Sequence, residues 1–126
     1  MMEYDSDQVA KLYFETSFLD DQSERECPAC KSIAVRAYIW RHDGGSRTVL
    51  FSYAWCKHCR RFKGWTTADT GEFTFSDPIE SLPEPEREIY RRGVAKLLPK
   101  LDKLWDEGEL PQTFVRARSP KKRLGK

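Results

Sequence analysis

Histidine is scarce in this chain, which has only His42 and His58. Neither lies in a recognisable base or nucleophile motif. There is no glycine-rich loop to cradle a phosphate, no Gly-x-Ser-x-Gly and no His-Glu-x-x-His. The adjacent acids Asp20-Asp21 and Asp106-Glu107 lie on polar segments and read as solvated surface. These absences argue against an enzyme, and no small-molecule substrate is indicated. Long apolar runs are lacking too. No stretch approaches the roughly 18 apolar residues that a spanning helix needs, so no membrane partner is expected. The first residues are acidic, whereas a secretory signal needs a basic start and an apolar run. The expected location is therefore cytoplasmic or nuclear, where thiols stay reduced.

Cysteine is also sparse, but its placement is informative. All four cysteines fall in two pairs of identical spacing, Cys27-Pro28-Ala29-Cys30 and Cys56-Lys57-His58-Cys59. Each pair sets two sulfurs on one tight turn. Two such turns facing each other make the sulfur tetrahedron that zinc accepts. Other uses fit less well. A redox dithiol leaves the second pair unexplained, and two disulfides suit an exported protein. Iron takes the same ligands, but nothing suggests a redox partner. His58 or His42 could replace one sulfur. An open catalytic zinc usually keeps three protein ligands and a free position. Four cysteines close the sphere, so the expected cofactor is one structural zinc ion on Cys27, Cys30, Cys56 and Cys59. A metal helps most where the core is modest. Here 39% of residues are hydrophobic and 33% are charged.

Between and around the cysteines the pattern alternates between strand and helix. Residues 6–19 read as a helix, with Ser6 or Asp7 as its cap and Val9 and Leu12 on one face. Residues 20–26 read as a polar link. Residues 33–41 and 48–55 alternate as strands around the turn His42-Asp43-Gly44-Gly45-Ser46. A third strand is expected over 61–67 and a fourth over 72–75. Residues 86–107 carry apolar residues at helical spacing, from Tyr90 through Leu97, Leu98, Leu101 and Leu104 to Trp105. Pro99 should kink or split that helix, and Gly108 suits its C-terminal cap. Residues 110–115 read as an extended segment that docks back on the body.

In its cysteine pairs and the hairpin between them, the chain resembles the zinc-ribbon superfamily. The resemblance covers residues 27–67. Lys31 and Arg60 stand where many ribbon knuckles carry glycine. Together with the helical segments on either side, the expected fold is α+β, with a zinc-ribbon antiparallel sheet of three or four strands. An N-terminal helix and a kinked C-terminal helical segment would pack on it. The expected organisation is a single domain over 1–115, with its ribbon core at 27–67 and its helical part at 84–108. A flexible basic tail follows over 116–126.

Net charge is only +2, but it is blocked along the chain. Residues 1–24 carry −6, 25–65 carry +7, 66–115 carry −5 and 116–126 carry +6. The ribbon segment interleaves cations with aromatics, and Arg36, Trp40, Arg60, Arg61, Phe62, Lys63 and Trp65 are its candidate partner-binding residues. Such a face suits single-stranded nucleic acid. Equally, the aromatics could be core and the cations a solvated face balancing the thiolates, with Lys31, Lys57, Arg60 and Arg61 nearest. The acidic flanks give a two-signed surface, which suits a protein partner better. The expected function is therefore that of a zinc-stabilised binding protein, either an inhibitor of the immunity-protein kind or a regulatory subunit. Nucleic-acid binding is the alternative.

Overall fold

The computed structural model describes residues 2–13, 18, 21–43, 47–69, 71 and 73–116. The elements are α1 (Ser6–Tyr13), β1 (Arg25–Glu26), β2 (Ile33–Asp43), β3 (Thr48–Cys56), β4 (Phe62–Ala68), β5 (Phe73–Phe75), α2 (Glu84–Arg91), α3 (Val94–Asp106) and β6 (Phe114–Arg116). Strands β1 to β4 form one antiparallel sheet in sequence order, and β5 pairs with β6 in a second. The fold is α+β. Among the described residues no helix is long and apolar enough to cross a membrane.

The central strands owe their stability to cover on both faces. Residues 35–40 of β2 are all buried, so odd and even positions alike meet protein. The register pairs Tyr38 with Tyr53, Trp40 with Phe51 and Arg36 with Trp55, while Val35 lies opposite Cys56 and Ala37 opposite Ala54. The first set faces α3. Tyr38, Trp40 and Trp55 pack there with Ile79, Leu97, Leu98, Leu101 and Leu104. Burying one such leucine contributes about 2 kcal/mol. The second set faces the N-terminus, where Tyr4, Leu12 and Phe18 cover Val35, Ala37, Ala54, Cys27 and Cys56.

Asp5, rather than Ser6 or Asp7, caps α1. Its carboxylate accepts the Gln8 N–H at 2.8 Å, and the Gln8 side chain accepts the Asp5 N–H at 2.9 Å. This reciprocal box needs a side-chain acceptor three residues before Gln8, and Asp5 supplies it. Residues 14–17 and 19 of the predicted helix lie outside the described residues, as do residues 44–46 of the predicted turn.

The fourth strand of the main sheet is β1, in the segment read as a polar link. The expected strand over 72–75 lies instead in the second sheet, as β5 against β6. Its partner is the extended segment that docks back, so Arg116 belongs to β6 and not to a tail. Residues 117–126 lie outside the described residues. The helical segment breaks at Gly93 and not at Pro99, which stands inside α3. Pro99 is on the exposed side of α3, where water can reach the carbonyl that lost its donor. Beyond α3, Gly108 adopts φ 85. The Gly108 N–H bonds to Trp105 O, and the Glu109 N–H bonds to Leu104 O at 2.9 Å. Those two bonds are a Schellman cap.

Two carboxylates fasten the helices to the sheet. Asp102 on α3 accepts hydrogen bonds from Trp55 Nε1 at 2.8 Å, Arg36 at 3.0 Å and Arg60 at 2.7 Å. Asp77 accepts from the Tyr38 hydroxyl at 2.6 Å and from Arg91 at 2.9 Å. Arg91 in turn lies over the Trp40 ring. Gln112 supplies a third tie. Its buried amide accepts the Ile39 N–H and donates to Ile39 O, as a neighbouring strand would.

Candidate metal centre

The two cysteine turns are built alike. In each, the first cysteine carbonyl accepts the N–H four residues on: Lys31 to Cys27 at 2.8 Å, and Arg60 to Cys56 at 3.0 Å. In each, the first cysteine N–H bonds to the carbonyl five residues on, that of Ser32 or Arg61. Strand pairing then brings the turns together, because Cys56 ends β3 and Cys27 follows β1, on either side of β2.

The four sulfurs meet at one point, all within 4.8 Å of one another. Cys27 Sγ lies 3.7 Å from Cys59 Sγ, and Cys30 Sγ lies 3.7 Å from Cys56 Sγ. None is in a disulfide. Four sulfurs each about 2.3 Å from one tetrahedral ion stand about 3.8 Å apart. The spacing fits a metal ion on four cysteines.

Hydrogen bonds at the sulfurs favour thiolate. Cys27 Sγ accepts from the N–H groups of Ala29 and Cys30 at 3.3 and 3.4 Å. Cys56 Sγ accepts from His58 and Cys59, both at 3.3 Å. Cys27 has a further donor, the Tyr4 hydroxyl at 3.0 Å. Burial works to raise the Cys27 thiol, but Tyr4 and the backbone donors outweigh it and bring it down to about 6. At Cys30 the Ser32 N–H lowers the thiol despite burial. At Cys56 burial wins and pushes it up to about 12. Four thiolates this close need a cation to coexist.

Lys31 and Arg60 do what glycine commonly does in a knuckle. Their φ values are 70 and 69. Left-handed backbone costs a residue with a Cβ about 1–2 kcal/mol. Arg60 has a compensating bond to Asp102, whereas Lys31 is exposed. Lys31→Gly should therefore stabilise the protein by up to about 1 kcal/mol, the strain relieved less the added freedom of the unfolded chain. Urea unfolding of the metal-loaded protein checks this.

The predicted partner residues do not share a surface. Arg36 is 4% exposed and Trp40 is 9% exposed, so both are interior. Arg36 is held inside because Glu24 at 2.9 Å and Asp102 at 3.0 Å neutralise it, with the Trp105 ring beside it. Arg60 binds Asp102, and Lys63 binds Glu3 at 3.1 Å. Phe62 and Trp65 are half-buried and pack against opposite faces of the sheet. Arg61 is half-buried and directed at the Met2 sulfur. The sequence reading missed Tyr4 and Asp102. Each had one faint signal: an isolated tyrosine in an acidic N-terminus, and an acid beside the leucine stripe of α3. In comparison with known proteins, the chain matches no family model, no curated protein and no solved structure.

Proposed function

We propose that the chain is a non-enzymatic binding protein of zinc-ribbon type, with one structural zinc ion on Cys27, Cys30, Cys56 and Cys59, acting on a protein partner. The internal engagement of the ribbon cations carries the choice of partner. Arg36, Arg60 and Lys63, which a nucleic acid would need, already face Glu24, Asp102 and Glu3. Lys57 and Arg61 of the ribbon have no acid in ion-pair range among the described residues, but a longer row of such cations lies on the outward side of α3. Lys96, Lys100 and Lys103 recur there at helical spacing beside Ile89, Ala95 and Pro99. The adjoining α2 exposes Glu84, Glu86 and Glu88, which would repel a run of phosphates. A basic rim over an apolar floor, next to an acidic helix, suits a protein of complementary charge. An inhibitor of the immunity kind or a regulatory subunit would use such a surface.

The test is affinity capture from the native host with a C-terminal tag. A stoichiometric protein should be recovered, and K96E/K100E/K103E should reduce its recovery about tenfold or more, since like charges across an interface cost several kcal/mol. Salt-dependent binding of mixed oligonucleotides, lost in the same triple variant, would replace this reading with a nucleic-acid one.

A further inference from the structure

The two cysteine turns repeat the same backbone hydrogen bonds, and one side chain breaks the repeat. Cys27 and Cys56 each receive two backbone N–H groups at sulfur. Among the described residues, of these two only Cys27 receives a third donor, from Tyr4. That tyrosine is not a passing neighbour. It is 2% exposed, and among the described residues its hydroxyl has no other partner. Its backbone is pinned as well: the Tyr4 N–H donates to Phe62 O at 2.9 Å, and the Phe62 N–H donates to Met2 O at 3.0 Å. Glu3 adds an ion pair to Lys63. Phe62 opens β4, three residues after Cys59. Residues 2–4 thus form a strap that grips the exit of the second cysteine turn by its backbone and the first by its hydroxyl.

We propose that Tyr4 is a positioning residue of the metal centre, an outer hydrogen-bond donor that holds the Cys27 sulfur on the metal and locks the N-terminal strap onto the loaded site. The inference rests on the metal reading of the four cysteines. A metal-bound thiolate carries no proton, so the hydroxyl donates and the sulfur accepts. Such charge-assisted bonds are about twice as strong as neutral ones. Outer partners of metal ligands typically govern affinity by about 10–100-fold. If the metal leaves, nothing fixes the Cys27 sulfur against the hydroxyl, and the strap loses its anchor.

The experiment compares the whole chain with Tyr4→Phe, which keeps the ring and removes only the hydroxyl. Both are loaded with cobalt(II), and zinc transfer to a chromophoric chelator is timed in parallel. In Tyr4→Phe the thiolate-to-cobalt charge-transfer band should move to lower energy, because an unbonded sulfur gives up its electron more readily. Zinc transfer should run about tenfold faster or more, and amide exchange over residues 3–13 should rise. Val9→Ala loosens the same apolar cluster without touching sulfur, and should leave the band in place. An unmoved band and an unchanged transfer rate in Tyr4→Phe would overturn the proposal. So would a Val9→Ala protein whose band moves equally. No thiolate band in the unaltered protein would sink the metal reading itself, and this inference with it.

Discussion

Cys56→Ser should yield a chain that holds no zinc and shows no cooperative melt. Cys56 is the last residue of β3, fully buried, opposite Val35 on the sheet face that α1 covers. Serine there leaves three sulfurs and a hydroxyl that zinc binds poorly. Structural zinc supplies about 10–16 kcal/mol in small zinc-binding peptides, and a whole domain is stable by only about 5–15 kcal/mol. The proposed ion is thus comparable to the entire margin. The buried cluster on this face also counts Cys27 and Cys56 among its own members, with Cys30 and Cys59 packed against it. Losing the ion therefore opens a core as well as a ligand sphere. Excess chelator on the unaltered chain should have the same effect. Near-UV circular dichroism and elemental analysis check both. A metal-free Cys56→Ser protein that melts sharply with its near-UV signal intact would refute a structural role.

The second large effect is expected at Asp102. Asp102→Ala takes one acceptor from three donors at once: Arg36, Arg60 and the Trp55 indole. These cases differ in weight. The Arg60 side chain is 40% exposed and water can take over its bond, whereas that of Arg36 is 5% exposed. Breaking a buried ion pair from one side costs about 3–5 kcal/mol, because the remaining charge is left in the interior. Glu24 still holds Arg36 from the other end, so the lower part of that range is expected. With a urea slope of about 1.5 kcal/mol/M, the midpoint should fall by about 2 M. Asp102→Asn keeps an acceptor for Trp55 but turns an amide N–H₂ towards a guanidinium, and should lose about half as much. A loss below about 1 kcal/mol for Asp102→Ala would mean that the leucines alone dock α3.

What the sequence disclosed follows the range of the interactions involved. The cysteine turns, the long strands β2 and β3, and the leucine stripe of α3 are written in short-range patterns, and all are present. The cap at Gly108 was legible for the same reason. Elements that depend on distant partners were not. β1 has two residues and exists because β2 runs beside it. β5 finds β6 about forty residues away. Arg36 sits inside the protein because the two acids it hydrogen-bonds come from 12 residues before it and 66 after it. Its local pattern, a cation on a strand two residues before Tyr38, is that of a binding face. The break in the C-terminal helix was misplaced for a related reason. Proline marks a lost hydrogen bond, but whether that loss matters depends on which side of the helix meets water. The centre itself divides likewise: its four sulfurs can be read from spacing, while its hydroxyl donor comes from a strap that only the folded sheet brings near.

The rims of the main sheet bear on how the protein behaves at high concentration. An open rim offers N–H and C=O groups to any passing chain and can seed aggregation. On one side β1 ends after two residues, and further along the Gln112 amide occupies the groups of Ile39. On the other, residues 2–4 meet the start of β4. A glutamine and a three-residue strap thus act as bumpers, one on the rim of β2 and the other at the start of β4.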